Sequence, residues 1–141
     1  MQFKLRTKKE QEKIILFVCL ENAGRSQMAE AFSNKYTPRG YRAIGAGTRP
    51  ACQINPIAVE VMKEVGIDIS KNKSKIITED MIRRSEKAVN MGCMDQSECP
   101  IRFIHNLVDW RIEDPKGKPI EKMRLIRDDI ERRVREIAAS L

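Results

Sequence analysis

The 141-residue chain predicts an α/β fold built on a parallel sheet. Two observations carry this. Short apolar runs alternate with segments of helical periodicity, and the first run passes through a polar, Gly-containing loop straight into a helix. Strands joined through helices run parallel with right-handed crossovers, and such sheets take ligands at the carboxyl ends of their strands.

Residues 13–18, Lys-Ile-Ile-Leu-Phe-Val, are nearly continuously apolar and rich in β-branched side chains, as in a strand buried on both faces. A helix is expected over 27–36, with Ser26 at its N-cap and Met28, Ala29, Phe32 and Tyr36 at helical spacing. Residues 41–47 read as the second strand. Asn55-Pro56 opens a helix through 65, with Pro at its first position and Gly66 ending it. A helix over 78–85, a strand over 87–91 and a short strand over 106–108 follow. The last helix, 120–141, carries Ile120, Met123, Ile126, Ile130, Val134 and Ile137 on one face.

With 41% hydrophobic residues, the chain suffices for one well-buried core and is too short for two ordinary domains. The expected organisation is a basic extension over 1–12 and a single α/β domain over 13–141. Neither a membrane-spanning run nor a signal peptide is legible, which predicts a soluble, cytoplasmic monomer with no membrane partner. The net charge of +7 would suit an anionic partner. It is dispersed, however, and 5% aromatic content leaves little for base stacking, so nucleic acid is excluded as a partner. Four cysteines without a secretory signal are expected to be reduced and open to redox or nucleophilic roles.

The chemistry concentrates in Cys19-Leu-Glu-Asn-Ala-Gly-Arg25-Ser26, a Cys-x5-Arg-Ser loop between the first strand and first helix. The spacing alone would arise by chance in roughly one chain of this composition in three. Its placement says more. Backbone N–H groups of Glu21, Asn22, Ala23, Gly24, Arg25 and Ser26 can converge on an anion at a helix N-terminus, and the helix dipole adds to them. The same surroundings favour a Cys19 thiolate, helped by Arg25 and the Ser26 hydroxyl. Arg25 offers a planar fork for two oxygens of a phosphate-like oxyanion. Asn22 and Gly24 are residue types that tolerate the positive φ a tight loop needs. Attack at a phosphoryl or arsenyl centre also needs a proton donor for the leaving oxygen, for which Asp114 of Asp114-Pro115, in the loop 111–119, is the candidate. Taken alone, Asp-Pro is simply a turn signal.

Val18-Cys-Leu-Glu-Asn-Ala-Gly-Arg-Ser-Gln-Met-Ala-Glu-Ala-Phe32, with Gly45-Ala-Gly-Thr48, Asn55-Pro56, Gly66-Ile-Asp-Ile-Ser70, Asp114-Pro115 and Arg127-Asp-Asp-Ile-Glu-Arg-Arg-Val134, resembles the low-molecular-weight protein tyrosine phosphatases and the thioredoxin-coupled arsenate reductases that share their fold. The resemblance implies a three-layer, flavodoxin-like four-stranded parallel sheet flanked by helices. It implies Cys19 as nucleophile, Arg25 as oxyanion binder, Asn22 and Ser26 ordering the loop, and Asp114 as general acid.

The two branches part after the first attack. A phosphatase hydrolyses the phosphocysteine with water, whereas a reductase needs a second thiol to attack the arsenylated cysteine, release arsenite and form a disulfide. Cys93 and Cys99 both follow the third expected strand. The resemblance implies that Cys93 resolves and that Cys99 takes over the disulfide for a thioredoxin-like dithiol to reduce, with no bound cofactor. Without the resemblance, both read as loop thiols kept for packing. Lys116-Gly-Lys118 after Pro115, in place of aromatic residues, suits a small inorganic anion. The expected activity is thus arsenate reduction, with phosphatase action on phosphotyrosine or small aryl phosphates as the alternative and anion binding without turnover as a third. Three features depart from the family pattern. The interval from Cys93 to Cys99 is one residue shorter than in the best-known reductases. Glu21 replaces a more usual Gly and sets a negative charge beside the anion loop. Asn22 and Glu30 match a potassium site of some members, but Gly45 and Lys75 stand where oxygen-bearing ligands are expected, so no metal is predicted. Cys52 reads as structural or incidental, His105 as packing or surface, and Trp110 as an anchor near the acid loop.

Overall fold

The computed structural model describes residues 12–92 and 107–141. Residues 1–11 of the expected extension, together with Cys93, Cys99 and His105, lie outside the described residues. Among the described residues eight elements follow in order: β1 (Lys13–Cys19), α1 (Arg25–Tyr36), β2 (Tyr41–Gly47), α2 (Pro56–Glu64), α3 (Glu79–Arg84), β3 (Ser85–Asn90), β4 (Leu107–Asp109) and α4 (Ile120–Ala139). The four strands form one sheet in the order β2-β1-β3-β4, and every neighbouring pair is parallel. No helix among the described residues is long and apolar enough to cross a membrane.

The unbroken apolar run of β1 has its cause in the layers. Ile15, Phe17 and Cys19 face a large core with Met28 and Phe32 of α1, Val61 and Met62 of α2, and Ile126, Ile130 and Val134 of α4. Ile14, Leu16 and Val18 face a smaller core with Ala46 and Ala88, covered by Met81 and Ile82 of α3. Both faces are dry, so alternation would leave polar groups buried. The fully buried Phe17 ring lies 5.7 Å from that of Trp110, which anchors the end of β4. Replacing such a ring with alanine costs about 3–5 kcal/mol.

Several boundaries differ from the sequence expectation for local reasons. The third helix ends at Arg84 and β3 begins at once, with the Ser85 hydroxyl donating to the Ile82 carbonyl at 2.7 Å and closing the last turn. The strand therefore starts two positions earlier than 87. The last helix stops at Ala139, where the Ser140 hydroxyl takes the Ile137 carbonyl at 2.7 Å. Pro56 opens α2 as expected, and the Asn55 side chain accepts from the Ile57 N–H at 2.9 Å.

Candidate active site

With β1 at the centre, the chain crosses to β2 on one side and β3 on the other. The carboxyl ends of β1 and β3 thus frame the crevice where connections diverge, and Cys19 is the last residue of β1. Cys19 is 3% exposed. The Asn22 N–H donates to its Sγ at 3.0 Å, and the Ser26 Oγ lies 2.8 Å away.

The direction of the Ser26 contact follows from what lies behind it. Asn22 Oδ1 accepts from the Lys75 backbone N–H and from Gln27 Nε2, each at 2.9 Å. A backbone N–H only donates, so the Asn22 amide is fixed with Nδ2 toward Ser26 Oγ, 2.6 Å away. With one lone pair of Oγ taken, the Ser26 O–H is free to donate to sulfur. Ser74 Oγ and Gln27 Nε2 also hold the Asn22 carbonyl, at 2.9 and 3.1 Å. The result is a relay of donors aimed at Sγ, an arrangement that favours the thiolate over the thiol.

Loop geometry corrects two expectations. Asn22 adopts φ 51° and is fully buried, as a tight loop requires, but Gly24 has φ −139° and needs no left-handed freedom. The first helix begins at Arg25 with Gly24 at the N-cap, so Ser26 sits inside the first turn. Its hydroxyl serves the sulfur instead of capping, and no side chain caps α1. First-turn N–H groups left uncapped at a helix N-terminus suit an anion. Ala23 is buried, whereas Glu21 reaches the cleft mouth.

Arg25 is 6% exposed, and its Nη1 donates to the Ile112 carbonyl at 2.7 Å and the Met91 carbonyl at 3.4 Å. Those carbonyls meet because Gly92, at φ +93°, lets the chain after β3 approach the one after β4. A Cβ there would lie 2.4 Å from the Arg111 Cα. With Nη1 anchored, Arg25 Nη2 points toward Asp114, whose Oδ2 is 3.9 Å away. Asp114 is exposed, and its Oδ1 accepts the Lys116 N–H at 3.0 Å. Cys19, Arg25 and Asp114 line one cleft of about 530 Å³. Ile54, Ile57 and Pro115 supply its apolar wall, and no aromatic residue lines it among those described.

The family profile described as "Low molecular weight phosphotyrosine protein phosphatase" matches residues 14–141. The chain belongs to that family. An arsenate reductase of Brevibacillus brevis is 39% identical over 130 residues, covering 92% of this chain and 96% of the relative. The solved structure of an arsenate reductase in the phosphate binding state superposes with a TM-score of 0.81 at 30% identity, covering 91% of this chain and 98% of that one. A thioredoxin-dependent arsenate reductase of Corynebacterium glutamicum is 35% identical with a TM-score of 0.75, over 92% of this chain and 61% of that one.

Supporting residues that carried no local signal now stand out within this family fold. The stretch 48–55 is laid along the anion loop by backbone bonds from Arg49 to Leu20, Ala51 to Glu21 and Asn55 to Ala23, at 2.8, 3.0 and 2.8 Å. Gly47 pairs with Cys19 across the sheet, and a Cβ on it would lie 2.5 Å from the Leu20 carbonyl oxygen. Where the potassium comparison left Gly45 and Lys75 without oxygen ligands, the Lys75 ammonium lies 3.3 Å from Glu30, whose Oε1 also accepts the Gly45 N–H at 3.1 Å. Cys52 is exposed. Among the described residues no group of three or more His, Cys, Asp or Glu is placed to hold a metal.

Proposed function

We propose that the protein reduces arsenate to arsenite through a thiol relay from Cys19 to Cys93 to Cys99. The observation that carries the first half is the buried Cys19 Sγ, held by the Asn22 N–H and the Ser26 hydroxyl in one cleft with Arg25 and Asp114. The named activity of the relatives supports arsenate as the oxyanion.

The Cys19 thiolate attacks arsenic, forming an S–As bond, and the leaving oxygen departs as water with a proton from Asp114. Arg25 holds the equatorial oxygens. The Cys93 thiolate then attacks Cys19 Sγ. A sulfur–sulfur bond forms, the S–As pair stays on arsenic, and arsenic(V) leaves as arsenite in the +3 state. Cys99 attacks Cys93, returning the Cys19 thiolate and leaving a Cys93–Cys99 disulfide. An external dithiol of the thioredoxin class supplies two electrons and two protons to restore both thiols. Cys93 comes two residues after Met91 in the sequence, and the Met91 carbonyl accepts from Arg25 Nη1 at 3.4 Å. No bound cofactor is needed.

A second reading, phosphomonoester hydrolysis, needs only Cys19, Arg25 and Asp114. It is favoured by the family's name and by a cleft several times the volume of a tetrahedral oxyanion. Arsenite formation is measured with thioredoxin, thioredoxin reductase and NADPH beside aryl phosphate hydrolysis. The relay requires arsenate turnover that disappears in Cys93→Ser. Undiminished turnover in that variant sinks the relay, and hydrolysis without arsenate turnover establishes the phosphatase.

A further inference from the structure

Glu21 and Lys116 meet across the mouth of the Cys19 cleft, with Lys116 Nζ 3.5 Å from Glu21 Oε1 and both residues lining it. Glu21 rides on the anion loop, and Lys116 on the turn after Asp114-Pro115. That turn is closed by the Lys118 N–H to the Pro115 carbonyl at 3.0 Å, with Gly117 at φ +76° in its third position, where a type II turn needs positive φ. Lys116 is thereby directed back over the anion loop. The neighbouring cations are engaged elsewhere: Lys118 pairs with Glu113, and Arg111 with Asp109, each at 3.7 Å.

The Lys116 side chain is 75% exposed and that of Glu21 43% exposed, so the pair adds little to stability. Its consequence is electrostatic. The cleft is lined by the carboxylates of Glu21 and Asp114, the cations of Arg25 and Lys116, and Cys19. In the state proposed for attack, Cys19 is a thiolate opposed by Arg25, and Asp114 carries the proton to be donated. Glu21 then remains as a negative charge on the path of a dianion, and Lys116 is the cation placed to cancel it.

We propose that Glu21 and Lys116 form a charge-setting pair that governs the affinity of the cleft for dianionic tetrahedral oxyanions. The inference rests on reading the Cys19 cleft as an oxyanion site. It makes Lys116 a specificity determinant and makes Glu21 a brake on anion capture that Lys116 relieves.

The test is equilibrium binding of inorganic phosphate by calorimetry, with the arsenate KM in the coupled assay beside it. The proteins are the parent, Glu21→Gln, Lys116→Met and the double variant. Binding is expected to weaken about three- to tenfold in Lys116→Met, tighten by a similar factor in Glu21→Gln, and return near the parent in the double variant. Both shifts shrink between about 0.05 M and about 0.5 M salt, as exposed charges are screened. A merely structural clasp predicts a different pattern, in which both single variants weaken binding and the double is no better than either. That pattern, or unchanged affinity in both singles, overturns the pair's role while leaving the oxyanion site intact. A parent that binds no phosphate and turns over no arsenate overturns the site itself.

Discussion

Replacing Ser26 with alanine removes one donor from Cys19 and leaves the others in place, so it isolates what the hydroxyl does for the sulfur. In the parent, Ser26 Oγ is fully buried, accepts from Asn22 Nδ2 at 2.6 Å and lies 2.8 Å from Sγ. A hydrogen bond to a charged group contributes about 1.5–3 kcal/mol. At about 1.36 kcal/mol per pH unit, its loss moves the midpoint of thiolate formation upward by about one to two units, while the Asn22 N–H at 3.0 Å still holds the sulfur. The assay is the rate of iodoacetamide alkylation of Cys19 across pH, followed peptide by peptide by mass spectrometry. Exposed Cys52 supplies an internal reference whose profile stays put. The variant also buries the Asn22 amide without its acceptor, so thermal unfolding should show a loss of about 1–3 kcal/mol. An unmoved Cys19 profile, or a shift to lower pH, would refute the reasoning, because it would mean that the proton in this contact sits on sulfur.

Two further outcomes follow from particular contacts. Gly47→Ala puts a methyl 2.5 Å from the Leu20 carbonyl oxygen and 2.9 Å from the Asn22 nitrogen, both backbone atoms that cannot rotate away. It should lower Tm through about 1–3 kcal/mol of overpacking and reduce arsenate turnover by up to about a hundredfold as the loop shifts; a parent-like Tm and rate would show that the loop yields freely. Glu64 is held below the usual carboxylate range, chiefly by its hydrogen bond to Arg124 and then by that to Arg127. A depressed carboxyl contributes stability that is present above its ordinary range and is lost as pH falls through its folded value. Chemical denaturation from pH 7 down to about pH 3 should therefore show a shallower decline for Glu64→Gln than for the parent.

What the sequence disclosed and what it withheld divide along a physical line. Periodicity reports burial, so the apolar run of β1 and the stripe Ile120, Met123, Ile126, Ile130, Val134 and Ile137 of α4 were legible, and all of these residues are buried apart from Lys13 at the start of β1 and the half-buried Ile120 at the start of α4. The cap rule failed at Ser26 because it weighs only local backbone donors, and the Cys19 sulfur seven residues away proved the stronger claimant. Lys75 and Gly47 were silent for a related reason. Lys75 reaches Asn22 through a backbone N–H that any residue but proline supplies, and Gly47 acts through an absent Cβ. Neither leaves a mark in local composition.

Asp114 shows how a local reading and a chemical one can both hold. Taken alone Asp-Pro read as a turn signal, and the resemblance made it the seat of a general acid, which treats the two as rivals. The carboxylate divides the work between its oxygens. Oδ1 accepts the Lys116 N–H at 3.0 Å and so builds the turn, while Oδ2 lies on the side of Arg25 Nη2 at 3.9 Å. An oxygen that accepts an N–H cannot at the same time present a proton along that line. In the proposed acid role, the proton therefore belongs on Oδ2, the oxygen nearer Arg25. The turn is then what orients the acid, and Lys116, whose N–H builds the turn and whose ammonium pairs with Glu21, couples that orientation to the charge at the mouth.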